Sequence, residues 1–271
     1  MTIDYPIKDI NVKVGTAAIS KDDGNIDEEL VEHLVKSIVE LKEDGRNVII
    51  TTSGAIGMGK SKIKLSGDDE INKQTYAAIG QHRLMGLYSK YFDKYKIETA
   101  QFLLTKEDFE GEKYENLFNG YNNAIENGIV PIINENDPVC IEEIRVGDND
   151  NLASLVTEKL GQDLLIFLTR YEGLLRNGNT VLNPTKSPVC FNHKLYDLKE
   201  PFMTGFGGIE TKLAVIEKVV NQSKKPCIVA KLDKRYGLKE IMLGNDKDGN
   251  AVKRSIFWPE ELQAQYNNPN K

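Results

Sequence analysis

The chain has 271 residues, 40% of them hydrophobic and 28% charged, with a net charge of −6 and a pI near 5.3. A body of this size buries about three quarters of its unfolded surface, so its core needs no disulfide or metal staple. The acidic balance and the scattered lysines exclude a global basic field drawing the chain to nucleic acid or an anionic membrane. An anionic substrate must be met by a local pocket of positive charge.

The chain start, Met1 to Ile10, lacks the apolar stretch of a secretory leader. The longest apolar run, Leu164 to Leu168, is far too short to span a bilayer. Cys140, Cys190 and Cys227 are odd in number and form no CxxC pair, and His33, His82 and His193 are equally dispersed. That pattern argues against a disulfide framework or a metal site and fits a reducing cytoplasm.

In chain order, Ile10 to Val14 reads as a short strand ending at Gly15. Ile26, Leu30, Val31, Leu34, Val35, Ile38 and Val39 then recur at helical spacing, with acidic residues in the first turn and Gly45 as a stop. Val48 to Ile50 is a strand, Ile71 to about Tyr95 a long helix, and Thr99 to Leu104 a strand. Tyr114, Leu117, Phe118, Tyr121 and Ile125 mark a helix closed by Gly128, followed by strand Ile129 to Ile133. Val139 to Val146 is expected to be a hairpin. A helix through Leu152, Leu155, Val156 and Leu160 leads to strand Leu164 to Leu168, and a helix around Ile209 to Val220 precedes strand Cys227 to Ala230.

Strands alternating with helices imply a mostly parallel sheet covered on both faces, an α/β/α sandwich of three layers. Ligands of such sheets sit beyond the carboxyl ends of the strands. Four expected ends carry polar or glycine-rich segments: Lys13-Val14-Gly15-Thr16, Thr52-Ser53-Gly54-Ala55, Asn134-Glu135-Asn136-Asp137 and Thr169-Arg170.

Each chemical segment has two readings. Gly54 to Ser61 satisfies the letters G-x-x-x-x-G-K-[ST] of a phosphate-binding P-loop. No periodic helix begins at Lys60-Ser61, however, and no convincing acidic residue ends another apolar strand in the manner of a P-loop protein, since Leu168 is followed by Thr169-Arg170. Asn134 to Asp137 and Gly147 to Asn151 read as a turn and a helix cap. Together they also place carboxylates and amides where an amino acid could bind. Gly205-Phe206-Gly207-Gly208, placed before a helix containing Lys212, is either a flexible loop or a cradle of backbone N–H groups for an anion. Lys13 is an unusual lysine inside an apolar strand, and Gly15 after it leaves room for a ligand.

Read together, VKVGT (Val12 to Thr16), TTSGAIGMG (Thr51 to Gly59), KQTYAAIGQHRL (Lys73 to Leu84), GIVPIINEND (Gly128 to Asp137), VGDNDNLAS (Val146 to Ser154) and GGIETKL (Gly207 to Leu213) resemble the amino-acid kinase family. INEND with VGDNDNL resembles its glutamate 5-kinase branch in particular. The likeness makes Gly54 to Ser61 a loop beside the substrate and its P-loop letters a coincidence. It implies one kinase domain over 1–258, with 1–161 a glutamate-binding lobe and 162–258 a nucleotide-binding lobe, and a polar tail over 259–271.

The resemblance implies that Lys13 and Lys212 meet the ATP phosphates and that Asp150 organises the two lysines. It implies that Ser53, Asn134, Asp137 and Asn149 hold glutamate. Thr169, Arg170, Phe206, Gly207, Gly208, Ile209, Glu210, Thr211 and Lys212 would border the nucleotide. ATP as donor, accompanying Mg²⁺, no protein-held metal and a homo-oligomer are likewise expectations of the resemblance. The implied reaction is phosphorylation of the glutamate side-chain carboxylate, the first step towards proline. The alternatives are a degenerate homologue sensing glutamate or proline, and a relative with another small acid or nucleotide.

The chain departs from the family pattern at Arg170, where an aspartate is usual, and at Phe206 and Glu210, where small polar residues are usual. Arg170 and Glu210 would either meet across the nucleotide pocket or both face solvent. Many relatives also carry a C-terminal domain of RNA-binding type, which this chain of 271 residues is expected to lack.

Overall fold

The computed structural model describes residues 7–140, 149–173, 175–176, 180–181, 209–259 and 262, with backbone alone at 69–70, 175–176, 180–181 and 209–210. Strand β1 (Asp9–Val14) sets the architecture through its alternation. Ile10, Val12 and Val14 face one side and are fully buried, so Asn11 and Lys13 face the other. β1 pairs in parallel with β2 (Asn47–Thr52) on one side and β5 (Leu164–Thr169) on the other. Beyond β2 lie β4 (Val130–Glu135) and then β3 (Thr99–Leu104), both parallel. Beyond β5 lies parallel β8 (Cys227–Lys231), and β9 (Arg254–Phe257) closes that edge antiparallel. The order is thus β3-β4-β2-β1-β5-β8-β9, a mostly parallel seven-stranded sheet that agrees with the sequence expectation.

On the face of Ile10, Val12 and Val14, one apolar cluster joins the sheet to three helices. These are α1 (Glu28–Glu43), α3 (Asp69–Phe92) and α7 (Leu238–Leu243), through Leu34, Ile38, Tyr88, Phe92 and Ile241 among others. Asp27 caps α1 by accepting from the N–H groups of Glu29 and Leu30, a contact worth about 1 kcal/mol. The opposite face carries α4 (Gly111–Glu126), α5 (Asn149–Lys159) and α6 (Ile209–Asn221).

Several short elements were not expected: α2 (Ala55–Lys60), α7, β9 and the two-residue strands β6 (Leu175–Arg176) and β7 (Thr180–Val181). Each is too short for its apolar period to register. Of the expected hairpin, Val139 lies in a turn, and residues 141–146 lie outside the described residues. Among the described residues no helix is long and apolar enough to cross a membrane.

Helix α2 corrects the reading of Gly54 to Ser61 as a loop. Gly54 enters it with φ 120°, in the left-handed region that suits glycine. A Cβ on Gly59 would lie 2.0 Å from the carbonyl oxygen of Tyr76, and one on Gly80 would lie 1.8 Å from that of Ala55. Gly59 and Gly80 let α2 and α3 touch backbone to backbone, so Gly59 serves helix packing. Gly80→Ala is therefore expected to destabilise the fold by about 1–3 kcal/mol or more through overpacking. Chemical denaturation would show it as a lowered midpoint, and an unchanged midpoint would mean that the helices are not in backbone contact.

Candidate active site

The chain passes from β1 outward through β2, β3 and β4, and α5 then carries it back to β5 on the far side of β1. β1 therefore stands where the strand order reverses, the position at which open parallel sheets bind ligands beyond their carboxyl ends. Lys13 is the penultimate residue of β1 and is only 7% exposed. Asp150 occupies the first turn of α5 and is 2% exposed, and Lys212 lies in the first turn of α6.

These three side chains meet. Lys13 Nζ forms an ion pair with Asp150 Oδ1, and Lys212 Nζ donates to Asp150 Oδ2 at 2.5 Å. The Lys212 ammonium also sits 4.7 Å from the centroid of the Phe167 ring on β5, a cation–π contact. Burial alone would raise the Asp150 carboxyl, but the ammonium groups of Lys13 and Lys212 reverse that and hold it below its ordinary 3.8. Ionised at neutral pH, it keeps two like charges side by side that would otherwise repel. Its place in the first turn of α5 also suits the helix dipole. An ammonium has three N–H donors, and Asp150 engages each lysine through one carboxylate oxygen.

The Gly15 backbone is ordinary, with φ −75°. A Cβ there would stand 3.6 Å from Leu168 O and 3.9 Å from Lys13 Nζ. Both are ordinary van der Waals distances, so neither backbone strain nor a steric clash requires glycine at this position.

Asn134, at the end of β4, is buried and donates from Nδ2 to Gln81 Oε1 at 2.8 Å, while its Oδ1 accepts from Glu135 N at 2.9 Å. Asn149 Oδ1 accepts from the same Glu135 N at 3.3 Å, which ties β4 to the start of α5. Sequence reasoning passed over Gln81, although it stands within the KQTYAAIGQHRL stretch. Ser53 follows β2, half-buried, and its N–H donates to Val14 O at 2.9 Å. Beside it Thr52 shares a 2.9 Å hydrogen bond with Tyr88, whose phenol burial pushes up to about 12. Asp137 lies half-buried in the turn after β4. The structure thus gathers Lys13, Ser53, Asn134, Asp137, Asn149, Asp150 and Lys212 at one edge of the sheet.

The nucleotide-side candidates are only partly described. Thr169 Oγ1 accepts from Tyr171 N at 3.0 Å in the turn after β5. Arg170 reaches towards the segment after β1, with Nε 3.4 Å from Ala17 O, a terminal nitrogen 3.4 Å from Ser20 O and another 3.6 Å from Asp22. Thr211 is half-buried in α6. Ile209 and Glu210 have their backbone in α6, but their side chains lie outside the described residues, as do Phe206, Gly207 and Gly208 entirely. Lys60 is exposed, its ammonium 5.8 Å from the Tyr76 ring centroid, and is not among the gathered residues.

Among the described residues no group of three or more His, Cys, Asp or Glu side chains is arranged to hold a metal. Asp150, the carboxylate between the lysines, is engaged by both of them. Cys140 and Cys227 are buried thiols, and Cys140 Sγ donates to Glu135 Oε1 at 3.7 Å.

Two lysines on a buried aspartate thus stand where the strand order of a mostly parallel α/β sheet reverses. The chain belongs to the amino acid kinase family, whose model matches residues 11–231. It is 39% identical over 227 residues to a glutamate 5-kinase of Caldanaerobacter subterraneus subsp. tengcongensis, covering 81% of this chain and 61% of the relative. The chain thus spans about three fifths of the length of that relative. It is 34% identical over 248 residues to a glutamate 5-kinase of Alkaliphilus metalliredigens, covering 89% of this chain and 94% of that one. A Giardia carbamate kinase shares the fold, with a TM-score of 0.63 over 93% of this chain and all of that one, at 14% identity.

Proposed function

We propose that the chain is a glutamate 5-kinase, which transfers the γ-phosphoryl group of ATP to the side-chain carboxylate of L-glutamate. The products are L-glutamyl 5-phosphate and ADP, on the way to proline. The observation that carries the reading is the convergence of Lys13 and Lys212 on buried Asp150. The likeness to curated glutamate 5-kinases supports the choice of substrate.

The chemistry needs little more. A glutamate side chain is already ionised at neutral pH, so no general base is required to create the nucleophile. The barrier arises because two anions must approach while negative charge spreads over the transferring group. In-line positioning and fixed positive charge lower it. Lys13 and Lys212 supply that charge from opposite sides, and Asp150 keeps both in place before the nucleotide arrives. The γ-phosphate then lies against both ammonium groups.

In this reading Ser53, Asn134, Asp137 and Asn149 hold glutamate in the 1–161 lobe. The stretch 162–258, including Thr169, Thr211 and the residues before α6, borders ATP, which brings its Mg²⁺. The enzyme works in the cytoplasm as a homo-oligomer. Asp137 pairs with the substrate's α-ammonium. Asp137→Asn keeps the size and removes the charge, so it should raise the KM for glutamate tenfold or more, a charged hydrogen bond being worth about 1.5–3 kcal/mol. The KM for ATP should barely move. Equal weakening for both substrates would make Asp137 a structural residue.

The function itself is tested by ADP release with a panel of small acids. Release should require L-glutamate. Release without it, or faster release with another acid, would overturn the reading.

A further inference from the structure

Apolar packing on the α5 face of the sheet is split in two. One cluster stands on β5 and β8, with Leu165, Phe167 and Val229 against Ile216 of α6, and the other includes Ile49 of β2 and Ile133 of β4 against Tyr121 of α4. Between them runs a polar seam of Asn11 and Lys13 on β1 and Thr51 on β2, covered by Asp150, Ala153 and Thr157 of α5. Asn11, Thr51 and Thr157 are wholly buried.

The seam is closed by directional bonds. Asn11 Nδ2 donates to Ala153 O at 3.1 Å and to Thr157 Oγ1 at 3.1 Å, and Asn11 Oδ1 accepts from Thr51 Oγ1 at 2.9 Å. Thr157 Oγ1 in turn donates to Ala153 O at 2.7 Å. A central parallel strand buried on both faces ordinarily reads as continuous apolar residues, so Asn11 is out of place on packing grounds alone. Apolar contacts are non-directional and let a helix shift, whereas an amide bonded to two groups of one helix fixes both its position and its rotation. Asn11 is two residues from Lys13 on the same face of β1, and Thr157 lies on the same face of α5 as Asp150. The bonds that seat α5 therefore also set where Asp150 stands against Lys13.

We propose that Asn11, with Thr51 and Thr157, is a positioning device for Asp150. It locks α5 onto β1 so that Asp150 presents Lys13 and Lys212 to the transferring phosphoryl group. The inference rests on the kinase reading above for its consequence in turnover, and on geometry alone for the placement of Asp150.

The test uses Thr157→Val, which keeps the shape and removes the hydroxyl, Thr157→Ser, which restores it, and Asn11→Leu. Assays run well below each variant's melting temperature. Thr157→Val should lower kcat about tenfold and Asn11→Leu up to about a hundredfold, since displacements near 1 Å cost about that much. The KM for ATP should stay within about threefold, and Thr157→Ser should recover kcat to within about threefold of wild type. A purely structural role predicts a lower melting temperature with kcat unchanged in Thr157→Val, and that outcome overturns the proposal. Because Asn11→Leu can fail to fold, Thr157→Val carries the decision. A crystal structure of Thr157→Val tests the geometry without turnover. Displacement of Asp150 relative to Lys13 by about 0.5 Å or more supports the proposal, and an unmoved Asp150 overturns it. Absence of glutamate-dependent turnover in wild type would instead fail the kinase reading alone.

Discussion

Replacing Lys212 by alanine is expected to lower turnover by about a hundredfold or more, because it removes one of two fixed cations facing the charge that develops on the phosphoryl group. Lys13→Ala should do the same from the other side. The protein should remain folded in either case, because Asp150 keeps one ammonium partner when the other is lost. Lys212 also packs over Phe167, so Lys212→Met is a useful companion that retains packing without charge. If Lys212→Ala turned over at near-normal rate, Lys212 would have no catalytic role and the site would have to be rebuilt around Lys13 alone.

Asp150→Asn is expected to have the largest effect on stability. It leaves two ammonium groups close together and largely buried, with side chains 9% and 14% exposed and no charge between them. Removing one member of a buried ion pair typically costs about 3–5 kcal/mol, which thermal or chemical unfolding would detect directly. ATP should offset part of this loss, since its phosphates bring the missing negative charge, so it should raise the melting temperature of Asp150→Asn more than that of wild type. A variant as stable as wild type, with no extra response to ATP, would show that the triad holds neither the fold nor the nucleotide.

The pH dependence has a definite sign. The folded-state value of Asp150 lies below its ordinary 3.8, so its stabilisation is complete above that value and is lost as pH falls through the depressed one. Stability from this group is therefore flat across the neutral range and declines only in acid.

Much of the fold is legible in the sequence where period and punctuation agree. Thr99 to Leu104 matches β3 at both ends, and the acidic run expected in the first turn of α1 lies at its start, although Asp27 proves to be the cap and not part of the turn. A six-residue helix such as α7 makes fewer than two turns, and the four residues of β9 give too little alternation, so neither shows a period. Gly54 to Ser61 misleads because glycine serves two needs with the same letter. It opens space for phosphate in one fold and for a neighbouring helix in another, and only the contacts of Gly59 with Tyr76 and Gly80 with Ala55 separate the two.

The site is legible to a different degree. Lys13 stands out as a cation in an apolar strand, yet its meeting with Asp150 and Lys212 depends on how α5 and α6 pack, which no local pattern encodes. That part came from resemblance. Asn11 offered a signal that was passed over: with Lys13 it makes every second residue of β1 polar on one face, beneath a helix that covers it. Gln81 offered none, because a glutamine in a long helix is ordinary until Asn134 is found bonded to it.

The central claim is that this chain makes an acyl phosphate on the glutamate side chain. Incubating it with ATP, L-glutamate and hydroxylamine tests that claim most directly, with the trapped product identified by mass spectrometry. The account predicts L-glutamyl 5-hydroxamate in proportion to the ADP released, and its near-disappearance with Lys212→Ala. ADP release without any hydroxamate, or a hydroxamate at the α-carboxylate, would contradict it.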